Sequence, residues 1–169
     1  MPADWRIESL RRDHGRAEFG CGEPALDDYL SRFARQNHES GVARTFVAVH
    51  EAEPARVLGY YSLAVGSIDR ADLPPTARRF PNFPLPIARL VRLAVDRRQQ
   101  GKGLGEGLLL DALSRCLRVA EEVGIVGVVI DAKHEKAKAF YSHYEFDALP
   151  DQSLTLWLTL KALRERFDS

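Results

Sequence analysis

The sequence predicts an α/β fold: a mixed central sheet with flanking helices. Three stretches carry the prediction. Leu90 to Val95 is a short, partly β-branched apolar run of strand length, and it leads into a glycine-rich turn and a long apolar-periodic segment. Ile125 to Ile130 is apolar throughout, as a parallel strand covered on both faces requires. The strand, the helix and this second strand then make one right-handed crossover unit. Finally, Leu154, Leu156, Leu158 and Leu160 alternate with Thr155, Trp157 and Thr159, the period of a half-buried strand.

The other elements follow in order. Trp5 to Leu10 reads as a first strand, and Phe19 to Pro24 as a loop. A helix is expected over Ala25 to Asn37, opened by Pro24 and by Asp27 and Asp28 at its positive end. Leu26, Tyr29, Leu30, Phe33 and Ala34 would form its buried face, and Gly41 closes the region. Arg44 to His50 and Val57 to Ile68 are strands that should pair as a hairpin, with Gly59 and Gly66 as candidate bulges. Residues 69–86 hold five prolines and read as a loop with one helical turn at Pro75 to Phe80; loops this long inside a domain are often functional. Ile87, or Leu85, to Val95 is the central strand. Gly103 to Val123 is the long helix, stopped by Gly124, with Leu104, Leu108, Leu109, Ala112, Leu113, Cys116, Leu117 and Ala120 in its buried stripe. Glu135 to His143 is a short helix that turns Ala137, Phe140 and Tyr141 inward. Tyr144 to Ala148 and Ser153 to Leu160 close the fold as a hairpin.

At 169 residues one domain over 1–169 is the expectation, large enough to bury about two thirds of the unfolded surface. The 24 basic and 24 acidic residues cancel, which argues against a general polyanion coat and leaves room for a local basic patch. Cys21 and Cys116 lack metal-ligand spacing, the five histidines are scattered, and no metal is expected. No stretch approaches the roughly 18 apolar residues of a membrane span, and no apolar signal region opens the chain. A cytoplasmic protein with free thiols is expected.

The chemistry starts at Gln100-Gly101-Lys102-Gly103-Leu104-Gly105, between strand and helix. Glycines admit close approach of a ligand to the backbone, and a helix start favours an anion. A dinucleotide fingerprint fails here, because Glu106 or Leu108 stands where its last glycine belongs. A P-loop fails because Gly103 follows Lys102. The spacing that fits is Q-x-x-G-x-G, on Gln100, Gly103 and Gly105. Here the chain resembles the GCN5-related N-acetyltransferases (GNAT), whose pyrophosphate loop binds acetyl-CoA. The order of elements agrees, so the resemblance covers nearly the whole chain. It implies central parallel strands that splay apart, with acetyl-CoA as cosubstrate.

A narrower resemblance rests on Cys21-Gly22 with Ala25 to Leu30, Gln36-Asn37, Ser40 to Val47, Gly59 to Ala64, Arg78-Arg79 before Pro81 to Pro86, Arg92 to Asp96, and Lys136 to Tyr141. In this order they are similar to the acetyltransferase toxins of bacterial type II toxin–antitoxin modules. Such toxins move acetyl from acetyl-CoA to the α-amino group of aminoacyl-tRNA and stop translation. The resemblance implies a ribbon-helix-helix antitoxin as partner and a homodimer, for which an exposed apolar strand or Trp157 is the candidate interface. Two departures stand out. Glu145 replaces the glycine of F-Y-x-x-x-G-F, and His134-Glu135-Lys136 differs from the acidic or asparagine-bearing stretch usual before this helix.

Roles can be expected residue by residue. The backbone of Leu93, Ala94 and Val95 offers N–H groups to the pantetheine amides and the developing oxyanion. Gln100, Gly101, Lys102, Gly103, Leu104 and Gly105 take the pyrophosphate, and Arg97 and Lys102 serve as cations for CoA phosphates. By periodicity alone Tyr141 is an aromatic core residue; the resemblance makes it the general acid that returns a proton to the CoA thiolate. Tyr60, Tyr61 and Tyr144 are core or substrate-wall candidates. No base is obvious: an α-amino group, with a reference pKa near 8, needs little help to become neutral, and water or a backbone carbonyl suffices; His50, Glu51 and His134 are the side-chain candidates. Arg78, Arg79, Arg89 and Arg92 form the expected RNA-facing set, with Arg44 a weaker member and Arg70 and Arg98 as solvated surface. Two alternatives share the composition: the same transfer to a small-molecule or protein amine, and a non-catalytic acetyl-CoA-binding or antitoxin-binding module.

Overall fold

The structure is a computed structural model that describes residues 4–168, apart from the side chains of Arg78 and Asp168. In chain order the strands are β1 (Trp5–Ser9), β2 (Arg44–His50), β3 (Gly59–Ile68), β4 (Leu85–Val95), β5 (Gly127–Asp131), β6 (Asp147–Leu149) and β7 (Gln152–Thr159). The helices are α1 (Pro24–Asp28), α2 (Ala34–Ser40), α3 (Leu104–Glu122), α4 (Glu135–Ser142) and α5 (Leu160–Asp168), with a π-helical turn over Tyr29–Phe33 joining α1 to α2. The strands form a mixed sheet in the order β1-β2-β3-β4-β5-β7-β6. Its parallel pair is β4 with β5, registered Ala88 to Val128 and Leu90 to Ile130.

The chain divides into two compact units, Met1–Ala64 with Val91–Ala112 and Val65–Leu90 with Leu113–Ser169. In the first, β1 and β2 pair antiparallel, and β2 pairs antiparallel with β3 without a break in register from Arg44–Leu63 to Ala48–Gly59. Gly59 therefore forms no bulge against β2. It is a site of close packing, where a Cβ would stand 2.9 Å from Leu108 Cδ1 and 3.1 Å from the Ala94 carbonyl oxygen. The helical segment buries Leu26, Tyr29, Leu30 and Ala34 against Val47, Val49 and Tyr60. Phe33 departs from the expected stripe and is 47% exposed. The wider π turn changes the angular step per residue and rotates Phe33 off the apolar face. Gly41, at φ +84°, supplies the left-handed stop of α2.

In the second unit β5 and β7 pair antiparallel, as do β6 and β7, and α4 and α5 pack on β7. Leu85, Ile87, Val129, Leu149 and Trp157 share a core with Leu73 and Ala77 from the proline-rich segment. Trp157, one candidate for an interface, is thus buried in this core. That segment contains 3₁₀ turns at Arg70–Asp72 and Pro75–Arg79, the second where one helical turn was expected. Gly124 is not a left-handed cap, since the positive-φ glycines are Gly22, Gly41, Gly101 and Gly103. The helix α5 is an addition to the sequence reading. Glu145, following α4, holds φ +73° and is the non-glycine residue in that region of backbone space among those described.

Candidate active site

The end of β4 turns at Asp96 into a short 3₁₀ turn, Arg97–Gln99, and then into the glycine loop. Asp96 is 2% exposed. Its carboxylate accepts hydrogen bonds from the Arg98 amide at 3.0 Å, the Arg98 Nε at 3.1 Å and the Gly20 amide at 3.2 Å. Burial works against its ionisation, but the donors from Arg98 and Gly20 outweigh it and hold the carboxyl below its ordinary range. Arg98 lies on the solvated surface, as expected, with its side chain 60% exposed, and it also pairs with this buried anion.

Gly101 and Gly103 take φ +78° and +87°, and no atom lies within 4 Å of where a Cβ would stand on either. Backbone conformation, not crowding, is what calls for glycine here. The first helical hydrogen bond of this end runs from the Gly107 amide to the Gly103 carbonyl at 3.1 Å. The amides of Leu104, Gly105 and Glu106 lie ahead of it, at the positive end of a 19-residue helix. An open loop of left-handed glycines before such a helix start fits a pyrophosphate. Lys102 and Arg97 are exposed, and among the described residues neither meets a carboxylate. Gln100 behaves differently from its loop neighbours: its amide donates to the carbonyls of Cys21 at 3.0 Å and Val95 at 2.9 Å.

Leu93, Ala94 and Val95 occupy the last turns of β4 ahead of this loop, Ala94 buried and its neighbours half-buried. One residue earlier, Arg92 places its guanidinium 3.7 Å from the ring centroid of Tyr29. The Tyr29 hydroxyl accepts from Asn37 Nδ2 at 3.3 Å, which fixes the ring from below.

The tyrosines separate by what their hydroxyls do. Tyr60 donates to the Leu26 carbonyl at 2.7 Å and Tyr61 to Asp111 at 2.5 Å, so both are committed to the core. Tyr144 sits 5.2 Å beneath the Arg166 guanidinium. Tyr141, on α4, has a buried ring packed edge-on against Phe140 and Phe146. Its hydroxyl makes no hydrogen bond among the described residues. Burial pushes this phenol well above the ordinary tyrosine range, which keeps it protonated.

The remaining candidates scatter. Arg89 pairs with Asp131 at 2.7 Å, and Asp131 also accepts from Thr155 Oγ1 at 2.8 Å. These line a polar cavity of about 310 Å³ together with Asp69, Asp72 and Gln152. The ion pair neutralises Arg89, in contrast to Arg92. Arg79 is exposed, 5.0 Å from the Phe80 ring centroid; the Arg78 side chain lies outside the described residues. Arg44 donates to the His38 carbonyl at 2.8 Å, and Arg70 to the Phe80 carbonyl at 2.9 Å. Each candidate base has a local structural role or none. His50 Nδ1 accepts from the Ala52 amide at 3.0 Å in a turn. His134 Nδ1 accepts from the Ala137 amide at 3.2 Å and so caps α4. Glu51 is exposed in the turn after β2. Cys21 is half-buried, and burial first and then the Asp27 carboxylate push its thiol up to about 11, which leaves it unreactive at neutral pH. Among the described residues there is no group of three or more His, Cys, Asp or Glu that could hold a metal ion, and no helix long and apolar enough to cross a membrane.

The sequence reading missed two site features. The Gly20–Gly22 loop belongs to the same cluster as the glycine loop, although it is far away in the chain; Gly20 and Gly22 both lie against the Arg97 side chain. The π turn beside Tyr29 was also missed. The glycines of the first were the available signal; the second left none.

Comparison with known proteins agrees with this geometry. The chain is 44% identical over 146 residues to a tRNA-acetylating toxin of Mycobacterium tuberculosis, covering 86% of each. Among solved structures, a tyrosine-to-phenylalanine mutant of KacT superposes with TM-score 0.92 at 30% identity, covering 97% of this chain and 99% of that one. AtaT complexed with acetyl-methionyl-tRNAfMet gives TM-score 0.90 at 31% identity, with the same two coverages. An AtaT mutant bound to the C-terminus of its antitoxin AtaR and acetyl-CoA gives 0.85 at 29%, covering 98% and 99%. The model of the acetyltransferase (GNAT) family matches residues 7–146, through both units, and the chain is an acetyl-CoA-dependent acetyltransferase of the GNAT family.

Proposed function

We propose that this protein is a toxin that transfers acetyl from acetyl-CoA to the α-amino group of aminoacyl-tRNA and thereby blocks translation. The 44% identity to a tRNA-acetylating toxin over most of both chains is the observation that carries the acceptor. The whole chain is read as a single acetyltransferase domain, working in the cytoplasm as a homodimer and neutralised by a ribbon-helix-helix antitoxin.

Acetyl-CoA supplies a thioester, whose carbon takes the incoming amine and whose sulfur leaves. The residues of the chain have four tasks. The amides of Leu104 and Gly105 and the left-handed Gly101 and Gly103 hold the pyrophosphate, with Lys102 and Arg97 as cations. The backbone of Leu93, Ala94 and Val95 orients the pantetheine arm and stabilises negative charge on the acetyl oxygen. The amine loses its proton to water as the C–N bond forms. Tyr141 gives its phenolic proton to the departing sulfur as the C–S bond breaks, a role supported by its being uncommitted and held protonated by burial. Arg92 and Arg79 with Arg78 position the acceptor end through phosphate contacts, which set register without reading sequence. Arg89, paired with Asp131, contributes less to that field.

Cell-free translation tests the reading. Peptide synthesis should stop when the protein and acetyl-CoA are added together, continue when either is left out, and resume on addition of fresh aminoacyl-tRNA after acetyl-CoA is removed. Arrest without acetyl-CoA, or no arrest with it, would remove the toxin reading.

A further inference from the structure

We propose that Gln100 is a positioning residue of the acetyl-CoA loop, one that touches no cofactor with its amide N–H groups and instead clips the Gly20–Gly22 segment to the end of β4. A primary amide has two N–H donors. Both of those on Gln100 are spent, on the Cys21 carbonyl at 3.0 Å and the Val95 carbonyl at 2.9 Å. The second acceptor is the last residue of β4; the first lies in a different stretch of chain.

The clip is one of several bonds across the same seam. The Gly20 amide donates to Asp96 at 3.2 Å, and the Arg97 amide donates back to the Gly20 carbonyl at 2.8 Å. The Cys21 amide in turn donates to Asp27 Oδ1 at 2.9 Å, which ties the segment to α1. Both sides of the seam are glycine-rich, with Gly22, Gly101 and Gly103 all at positive φ. Such backbone has many conformations in the absence of restraint, and each must be given up to cradle a phosphate. Fixing the loop at Gln100 removes part of that cost before acetyl-CoA arrives, so affinity is gained by pre-organisation rather than by contact. The Gly20–Gly22 segment thus supports the cofactor site through Gln100 and Asp96, which hold the loop in place.

The inference rests on reading 101–105 as the acetyl-CoA loop, and the test separates the two. Amide hydrogen exchange is followed in the full-length protein without acetyl-CoA, and acetyl-CoA binding is then titrated by calorimetry, for wild type, Gln100→Met and Gln100→Arg. In Gln100→Met the amide of Arg97 and those of residues 20–22 should exchange about tenfold faster, and acetyl-CoA should bind about tenfold more weakly. Gln100→Arg, which keeps N–H donors, should restore the protection; Gln100→Glu, which has none, carries the exchange test if Gln100→Met does not fold. Unchanged exchange with weakened binding would mean that Gln100 contacts the cofactor directly and would overturn the proposal, as would no change in either. Failure of the wild type to bind acetyl-CoA would sink the cofactor reading itself, whatever the exchange data show.

Discussion

The guanidinium of Arg92 lies over the ring of Tyr29, 3.7 Å from its centroid, and among the described residues it meets no carboxylate. A cation held by an aromatic face keeps its full charge for a ligand, and the stack contributes about 0.5–1 kcal/mol to its placement. Arg89, three residues earlier on β4, has its charge answered by Asp131 at 2.7 Å. Arg92→Ala should therefore weaken aminoacyl-tRNA binding several-fold and lower the slope of log affinity against log salt by about one, while Arg89→Ala should change that slope much less. Binding titrations over a range of salt concentrations decide this; equal slopes for the two variants would contradict it.

Glu145 holds φ +73° immediately after α4. A non-glycine residue there costs on the order of 1 kcal/mol. Glu145→Gly should stabilise the protein and raise Tm by about 2–4 °C. A lower Tm would show that the Glu145 side chain gives back more than the backbone loses.

His134 occupies the N-cap of α4 with an imidazole nitrogen as acceptor. Aspartate or serine caps a helix better, by roughly 0.5–1 kcal/mol, and aspartate also suits the helix dipole. His134→Asp should raise Tm, and because the cap leaves Tyr141 in place, the turnover rate should stay within about twofold of wild type. A tenfold loss of turnover in a stable variant would make His134 a participant in the chemistry.

Gly59 is pressed beneath Leu108 and the Ala94 carbonyl. Gly59→Ala should cost about 1–3 kcal/mol in denaturant unfolding, since one of those atoms must move. Displacing Ala94 should also raise the KM for acetyl-CoA. A variant as stable as wild type would show that Leu108 can swing aside freely.

Burial raises the Tyr141 pKa above its ordinary value, so the phenol stays protonated through neutral and mildly alkaline pH. The acceptor amine, with a reference pKa near 8, must instead be neutral to react. The single-turnover rate should rise with pH up to about 8, level off, and show no descending limb before about pH 10. For stability the sign is that of a raised pKa: the neutral phenol's contribution is intact below the unfolded tyrosine value and is lost only as pH rises beyond it. A rate that falls between pH 7 and 9 would place a different acid in the site.

The parts of the fold and site that were readable in the sequence are those governed by local pattern. Arg44–His50 carries a continuous apolar centre, Phe46 to Val49, of strand length and was placed to the residue. The glycine loop declared itself because left-handed backbone demands glycine at Gly101 and Gly103. Glu145 stood out where a glycine was expected, and it does hold positive φ. Phe33 was misplaced because a π turn shifts the helical phase with no change in composition. Trp157 was one candidate for an interface on an alternating strand, but Leu73 and Ala77 from the proline-rich segment pack with it in a core. The inward turn of Gln100 was illegible because its partners are backbone carbonyls, one of them 79 residues away, and any residue type carries a carbonyl.

The most direct measurement is acetyl transfer from labelled acetyl-CoA to a pool of charged tRNAs by wild type and by Tyr141→Phe. Label is expected on the aminoacyl group with wild type, none on uncharged tRNA, and a loss of about 10²–10⁴-fold in the mutant with acetyl-CoA binding intact. Label retained at the wild-type rate in Tyr141→Phe would contradict the role of the phenol, and no label on any charged tRNA by a wild type that binds acetyl-CoA would contradict the acceptor.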